Sequence, residues 1–252
     1  MKISCITVTY GRVSLLERAI DFFLKQDFQE KELVVLNTFP SQKLTGEFPG
    51  VRIINLDERP GSLGEARNIA IEEATGDVMV TFDDDDLYLP HHLSVFAERF
   101  EGNDWLWATP QFWVLGQEIQ SIVRGACPLF SFRKSAWLAV GGYPHLTVGE
   151  DAALISKITQ QFKGSKVELE PEQITFGYNW GQSGVHHVSG EGSDVPEKMT
   201  AHDRAALALQ DRVRRNQERT GTIVLHPNST IDWSFKASAF LERQKKVKTP
   251  SA

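Results

Sequence analysis

Four aspartates stand side by side, Asp83, Asp84, Asp85 and Asp86, directly after the apolar run 78 to 82. Adjacent carboxylates repel, and each ionised neighbour raises the cost of ionising the next, so an apolar strand gains nothing structural by ending this way. A divalent cation offsets the repulsion. Hard cations such as Mn²⁺ or Mg²⁺ take oxygen ligands and are often held by one or two carboxylates together with substrate phosphates. The competing reading is a solvated acidic turn ahead of a helix opened by Pro90. A second acidic pair, Glu150-Asp151, precedes an apolar-periodic segment with Leu154, Ile155 and Ile158, where a helix dipole by itself favours carboxylates. His186 and His187 follow in a Gly/Ser-rich stretch; they suit Mn²⁺ as neutral imidazoles, or are solvated loop residues.

Chemistry at these positions requires a frame that brings them together. Residues 3 to 9 form a β-branched run broken by Tyr10-Gly11-Arg12, and Ser14 with Glu17 has capping-box spacing ahead of Leu15, Leu16, Ala19, Ile20 and Phe23, which recur at helical period. Further β-runs lie at 32 to 36, 51 to 56 and 78 to 82. Ser62 with Glu65 repeats the capping box before Ala66, Ile69, Ala70 and Ala74, and Thr75-Gly76 ends that helix. Pro90 opens a helix through 96, residues 104 to 132 are aromatic and strand-like with Gly116 as a turn, 134 to 140 is a short helix, and 152 to 162 a longer one. A helix is expected over 199 to 218, and the last ten residues are read as frayed. Strands alternating with helices predict an α/β fold with a mainly parallel, Rossmann-like sheet and helices on both faces. Ligands of such sheets bind beyond the carboxyl ends of the strands, where the aspartate run sits.

Several motifs occur in a telling order: Thr9-Tyr10-Gly11-Arg12 after the first strand, Gly64-x-Ala66-Arg67-Asn68 opening a helix, and Gly76-Asp77 before a strand ending in Asp83-x-Asp85-Asp86. Gly141-Gly142-Tyr143 then leads to Gly149-Glu150-Asp151. Together, over roughly residues 1 to 190, they resemble a family 2 glycosyltransferase of GT-A fold. The resemblance implies that the Asp-x-Asp element holds Mn²⁺ or Mg²⁺ against the diphosphate of a nucleotide-sugar donor, with Asp85 as direct ligand and Asp83 and Asp84 toward the ribose or sugar. It implies that His186 or His187 completes the metal shell. It further implies that Asp151 is the base of an inverting transfer, with Glu150 orienting the acceptor, that Tyr10 stacks on the nucleobase, and that Arg67 meets the diphosphate or holds the loop. Thr9, Arg12 and Asn37 fall among the donor-binding positions. One departure stands out: where the family usually carries an aspartate that reads the base, this chain has Asn37-Thr38, so uridine preference does not carry over. Trp105, Trp107, Phe112 and Trp113 form either a sugar-stacking wall or a packed sheet face.

Composition bounds the remaining readings. The 252 residues contain 41% hydrophobic and 24% charged residues, as in a globular protein, which excludes disordered and fibrous classes. Division into a catalytic domain, 1 to 195, and a basic helical C-terminal extension, 196 to 252, fits the charge pattern. From 204 onward ten Lys+Arg face four Asp+Glu, a balance of +6 against −6 for the whole chain. The acceptor is accordingly expected to be a glycan, lipid-linked or protein hydroxyl, with a nucleic acid favoured only by this basic segment. Two cysteines, Cys5 and Cys127, indicate neither a disulfide framework nor a thiolate zinc site. No run of 18 apolar residues and no signal-like segment occurs, so a cytoplasmic location is expected. A catalytically inactive sugar-binding module and a nucleotidyltransferase are the competing functions. The second is disfavoured because no Gly-rich phosphate loop follows the first strand.

Overall fold

The computed structural model describes residues 1 to 124, 129 to 146, 149 to 179 and 220 to 248. In chain order the elements are β1 (Ile3–Thr9), α1 (Val13–Leu24), β2 (Lys31–Asn37), β3 (Gln42–Thr45), β4 (Val51–Asn55), α2 (Leu63–Glu73), β5 (Val78–Thr81), β6 (Leu87–Tyr88), α3 (His92–Ala97), β7 (Trp105–Thr109), β8 (Gln111–Leu115), β9 (Glu118–Val123) and β10 (Leu129–Arg133). After these come α4 (Lys134–Ala139), α5 (Glu150–Gln161), β11 (Gly164–Glu168), a 3₁₀ turn at Pro171–Gln173, β12 (Phe176–Asn179), β13 (Gly221–Val224) and α6 (Trp233–Lys248).

The main sheet has seven strands in the order β11-β7-β10-β5-β1-β2-β4. Every neighbouring pair in it is parallel except those made by β10, which runs against β5 and β7. β1 is buried along its whole length because it lies between β2 and β5 and both its faces are covered; its three polar residues, Ser4, Thr7 and Thr9, are small and are buried with the rest. Helix α1 covers one face with Leu16, Ile20 and Phe23, together with α3, α6 and the second sheet β6-β12-β8-β9. Helices α2, α4 and α5 cover the other with Ala66, Ala70, Ile71, Trp137, Leu154 and Ile158.

The expected frame is therefore present, with local differences. Helix α1 starts at Val13 with Arg12 as its cap residue and no side-chain cap; Glu17 does not reach back to Ser14 but accepts from the backbone N–H of His226 at 2.8 Å. At α2 the Ser62 hydroxyl does accept from Glu65 N–H, while the Glu65 carboxylate reaches Gly61 rather than Ser62. Helix α3 begins at His92, two residues past Pro90. Trp105 and Phe112 are core residues, as the packed-face reading of the aromatics has it. The C-terminal reading as frayed is corrected for 243 to 248, which continue α6, because Trp233, Ala237 and Phe240 anchor that helix in the core. Strands β3 and β13, which pair in parallel, have no counterpart in the sequence reading. The helix expected over 199 to 218, His186, His187 and Cys127 lie outside the described residues. No helix of the described residues is long and apolar enough to cross a membrane.

Candidate active site

The carboxyl ends of β1, β2 and β5 meet at one edge of the sheet, and the aspartate run leaves β5 there. Phe82 anchors the turn: its ring is fully buried and stacks on Tyr88 at 3.7 Å. The Asp83 N–H donates to the Tyr88 hydroxyl at 2.8 Å, so the chain after β5 is folded back against β6.

The four aspartates then take four different environments. Asp84 is fully buried; its carboxylate accepts from the Thr9 hydroxyl at 2.7 Å and from the Arg12 guanidinium. Asp85, 4% exposed, accepts from the other arm of Arg12 at 2.8 Å, and its carbonyl accepts from Arg18 at 3.0 Å. Asp86 accepts from Asn179 N–H at 3.0 Å. Only Asp83 keeps a substantial part of its side chain, 32%, open to solvent, and it faces Arg67 at 3.6 Å. Burial pushes Asp84 up to about 7, with Arg12 opposing and Asp85 adding to the rise. Burial also raises Asp83, and it raises Asp86 well above the carboxylate range with Asp85 and Asp83 reinforcing it. A carboxylate that is both desolvated and beside other carboxylates is the physical signature of surplus negative charge.

Across the site, Arg67 performs the decisive connection. One arm meets Asp83, the other binds the Glu150 carboxylate at 2.9 Å, and the guanidinium lies over the Tyr143 ring at 5.5 Å. Burial opposes the Arg67 charge, but Asp83, Glu150 and Asp151 outweigh it and hold the group charged. Glu150, 3% exposed, is raised by burial, with the Arg67 charge opposing. Asp151, one residue on, is half-buried, and its carboxylate accepts from Ala152 N–H at 2.7 Å.

The Arg67 geometry depends on a close helix–loop contact. Gly64 donates its N–H to the Leu146 carbonyl, and a Cβ there would lie 1.9 Å from the Pro144 carbonyl oxygen. Asn68 donates to the Tyr143 carbonyl and accepts from Tyr143 N–H and the Trp137 indole. Gly142, at φ +74, allows that approach. The Gly64/Arg67/Asn68 and Gly142/Tyr143 motifs are thus two halves of one interface.

Several of the groups expected to bind the donor have protein partners in this structure. The Thr9 hydroxyl and Arg12 are committed to Asp84 and Asp85, and Asp84 has no exposed surface with which to meet a ribose. Asn37 is fully buried: its amide donates to the Gln42 carbonyl at 2.7 Å and to Asn55 at 3.0 Å, and its oxygen accepts from Phe39 N–H. Thr38 turns its hydroxyl onto the Thr9 carbonyl. These groups hold the ends of β1 and β2 in place. Tyr10 packs against Phe39 with ring centres 4.8 Å apart, and Arg59 lies over its ring at 4.5 Å. Arg18, Tyr88, Asn179 and Arg59 were not singled out in the sequence. Arg18 stands on α1 beside Glu17 and near Asp21, a pattern any solvated helix face shares.

The donor chemistry suits a hard divalent cation. Asp83, Asp84, Asp85, Asp86, Glu150 and Asp151 outnumber Arg12, Arg18 and Arg67 as ionisable groups of the site, and the ligands on offer are oxygens. Among the described residues no three potential ligands converge. Asn179, bonded to the Asp85 carbonyl and the Asp86 carboxylate, brings the chain back to this cluster seven residues before His186.

A protein-family model described as glycosyl transferase family 2 matches residues 4–139, more than half of the chain. The chain belongs to that family. It is 32% identical over 111 residues to the "Uncharacterized glycosyltransferase YwdF" of Bacillus subtilis, a match covering 42% of this chain and 41% of that protein. The chain thus spans about two fifths of that relative's length. Among solved structures it resembles S. aureus TarS 1-349 in complex with UDP-GlcNAc, with TM-score 0.60 at 16% identity, covering 98% of this chain and 73% of the other. It also resembles the mannosyltransferase PcManGT from Pyrobaculum calidifontis in complex with GDP-Man and Mn²⁺, with TM-score 0.52 at 14% identity, covering 98% and 80%. These likenesses carry the GT-A architecture: a largely parallel central sheet with helices on both faces.

Proposed function

We propose that this chain transfers a sugar from a nucleoside-diphosphate sugar to an acceptor hydroxyl with inversion, using Mn²⁺ or Mg²⁺ and Asp151 as general base. The observation that carries the reading is the Asp83–Arg67–Glu150 link. It sets the solvent-facing aspartate at the end of β5 one arginine away from the first turn of α5, so a donor at the first and an acceptor at the second are adjacent. Fold neighbours in complex with UDP-GlcNAc and with GDP-Man and Mn²⁺ support the substrate class and the ion.

Asp85 would hold the cation, with His186 or His187 completing the shell, and the solvent-facing Asp83 would meet the ribose or sugar of the donor. A cation held there would supply Lewis-acid stabilisation of the charge that develops on the leaving diphosphate. Arg67 fixes the α5 N-terminus through Glu150, which makes Glu150 a positioning residue for Asp151. Asp151 takes the proton of the acceptor hydroxyl as that oxygen attacks the anomeric carbon. The acceptor is a glycan, lipid-linked or protein hydroxyl.

The test is nucleoside diphosphate release and sugar transfer from a panel of nucleotide sugars with Mn²⁺. Asp151→Asn is expected to lower kcat by about 10²-fold or more while donor binding persists, and Asp85→Asn to weaken Mn²⁺ binding. Transfer at the wild-type rate by Asp151→Asn overturns the base assignment. Absence of turnover with every donor overturns the reading as an enzyme and leaves a sugar-nucleotide binding module.

A further inference from the structure

A cavity of about 700 Å³ lies between β9, the segment that follows β11, and α6, and none of its described lining residues belongs to the aspartate cluster or to the Arg67 link. Its size is that of a small-ligand site, about 300–1,000 Å³. Leu169, Ile174 and Phe240, all buried, give it an apolar wall. The side chains of Gln120, Ser121 and Gln244 bring two amides and a hydroxyl that are committed to no partner among the described residues. The charges of the lining are spent on each other: Arg124 meets Glu168, and Lys245 meets Glu172 at 3.0 Å. With Glu170 the lining holds two cations and three carboxylates, so it does not attract an anion.

The cavity stands at the same edge of the main sheet as the aspartates. β10 runs against both β5 and β7, and β11 is parallel to β7, so β5, β7 and β11 point the same way. Glu168, at the carboxyl end of β11, and Pro110, just past the end of β7, line the cavity. In the order β11-β7-β10-β5 this is three strand spacings from the end of β5, about 15 Å. From the cavity wall the chain runs directly into β12, whose last residue, Asn179, donates to the Asp85 carbonyl and the Asp86 carboxylate.

We propose that this cavity binds a neutral glycan, and that it holds the part of the acceptor that lies beyond the reacting sugar. The acceptor role rests on the transferase reading given above. An amide offers a donor and an acceptor side by side, and a hydroxyl offers both at one oxygen; they complement the adjacent hydroxyls of a sugar ring. The C–H faces of the same ring suit the surface of Leu169, Ile174 and Phe240. A lipid chain would strip water from the amides and ion pairs without replacing its hydrogen bonds. A phosphate-rich or acidic polymer would meet surplus carboxylate.

The experiment measures binding to the full chain by titration calorimetry. The probes are maltotriose, cellotriose, mannotriose and tri-N-acetylchitotriose, each beside its monosaccharide, with trigalacturonate as the acidic probe and a Gly/Ser peptide as the peptide probe. One neutral trisaccharide is expected to bind about ten-fold more tightly than its monosaccharide, the order of one or two added hydrogen bonds. Gln244→Trp, which fills the cavity, is expected to abolish that binding, and Gln120→Ala with Gln244→Ala to weaken it about ten-fold. Both glutamines are exposed, so the melting temperature is expected to hold, and the alanine pair supplies a second measurement if Gln244→Trp is impaired. In transfer assays the alanine pair is expected to raise KM for the trisaccharide at unchanged kcat, as loss of uniform binding does. Tighter binding of the acidic probe or the peptide than of every neutral trisaccharide overturns the ligand class. Absence of trisaccharide binding, or binding that both variants leave unchanged, overturns the cavity assignment and leaves the transferase reading standing. Trisaccharide binding that depends on Gln244, in a chain that turns over no nucleotide sugar, overturns the transferase reading and the acceptor role with it.

Discussion

Four identical side chains in a row became four different groups because burial and partners differ from one position to the next. Asp84 and Asp85 share Arg12, Asp86 is held by a backbone N–H, and Asp83 faces solvent and Arg67. Arg12 is thus the counter-charge of two buried carboxylates. Arg12→Ala removes the counter-charge that both face and is expected to cost about 3–5 kcal/mol, the usual penalty for breaking a buried ion pair from one side, seen as a lowered urea midpoint. Asp84→Asn, which keeps a hydrogen-bonding oxygen, should cost less than half of that. Equal losses would show that charge is not what Arg12 supplies. Four adjacent acids are visible in a string of letters, but which one faces solvent is not, because exposure depends on partners far away in the chain.

At the scale of elements, helix α2 matters most, since it carries Arg67 and is pressed against residues 144 to 146. Gly64→Ala would put a methyl group into the Pro144 carbonyl. The expected outcome is a loss of about 1–3 kcal/mol, typical of overpacking, with transfer activity reduced further than stability because Arg67 moves with the helix. A variant with unchanged melting temperature and activity would contradict that packing.

The opposite end of the sheet shows a separate device. The Glu32 carboxylate, on β2, accepts from Lys2, Ser4, Thr75 and Gly76. Burial alone would raise it, but the Lys2, Ser4 and Thr75 hydrogen bonds outweigh burial and hold it down at about 2. A depressed carboxylate stabilises the fold above its unfolded value and loses that contribution as pH falls from about 4.5 toward 2. We expect Glu32→Gln to lower stability at neutral pH by about 2 kcal/mol and to flatten the acid limb of the stability profile. Nucleotide binding should stay unchanged, since Glu32 and the aspartate run lie at opposite ends of the strands. An acid limb as steep as that of the wild type would refute this.

Across the whole molecule, the C-terminal segment closes the fold. Strand β13 pairs with β3 beside β2 and β4, and α6 buries Trp233, Ala237 and Phe240 against the same core as α1 and the second sheet. Phe240→Ala removes a ring packed edge-on against Phe112, centres 6.0 Å apart. It is expected to cost about 3–5 kcal/mol, measured by chemical denaturation; a loss below about 1 kcal/mol would mean that α6 is loosely attached.

The order of strands and helices, the aspartates at a strand end and the motif pairs were legible from the sequence because they depend on local periodicity and on residues close in the chain. Partners were not legible. Arg67 meets Glu150 across 83 positions, Asp86 meets Asn179 across 93, and β3 meets β13 across more than 170. Such contacts follow from how helices stack on a sheet and from which groups lose their water, and no short-range pattern encodes either. The letters determined that surplus negative charge stands at the edge of a parallel sheet. Tertiary structure alone decided that Asn37 and Thr38 face inward and that Arg12 neutralises the inner aspartates while Asp83 faces solvent, because burial turns equivalent polar groups into fixed partners or exposed ones.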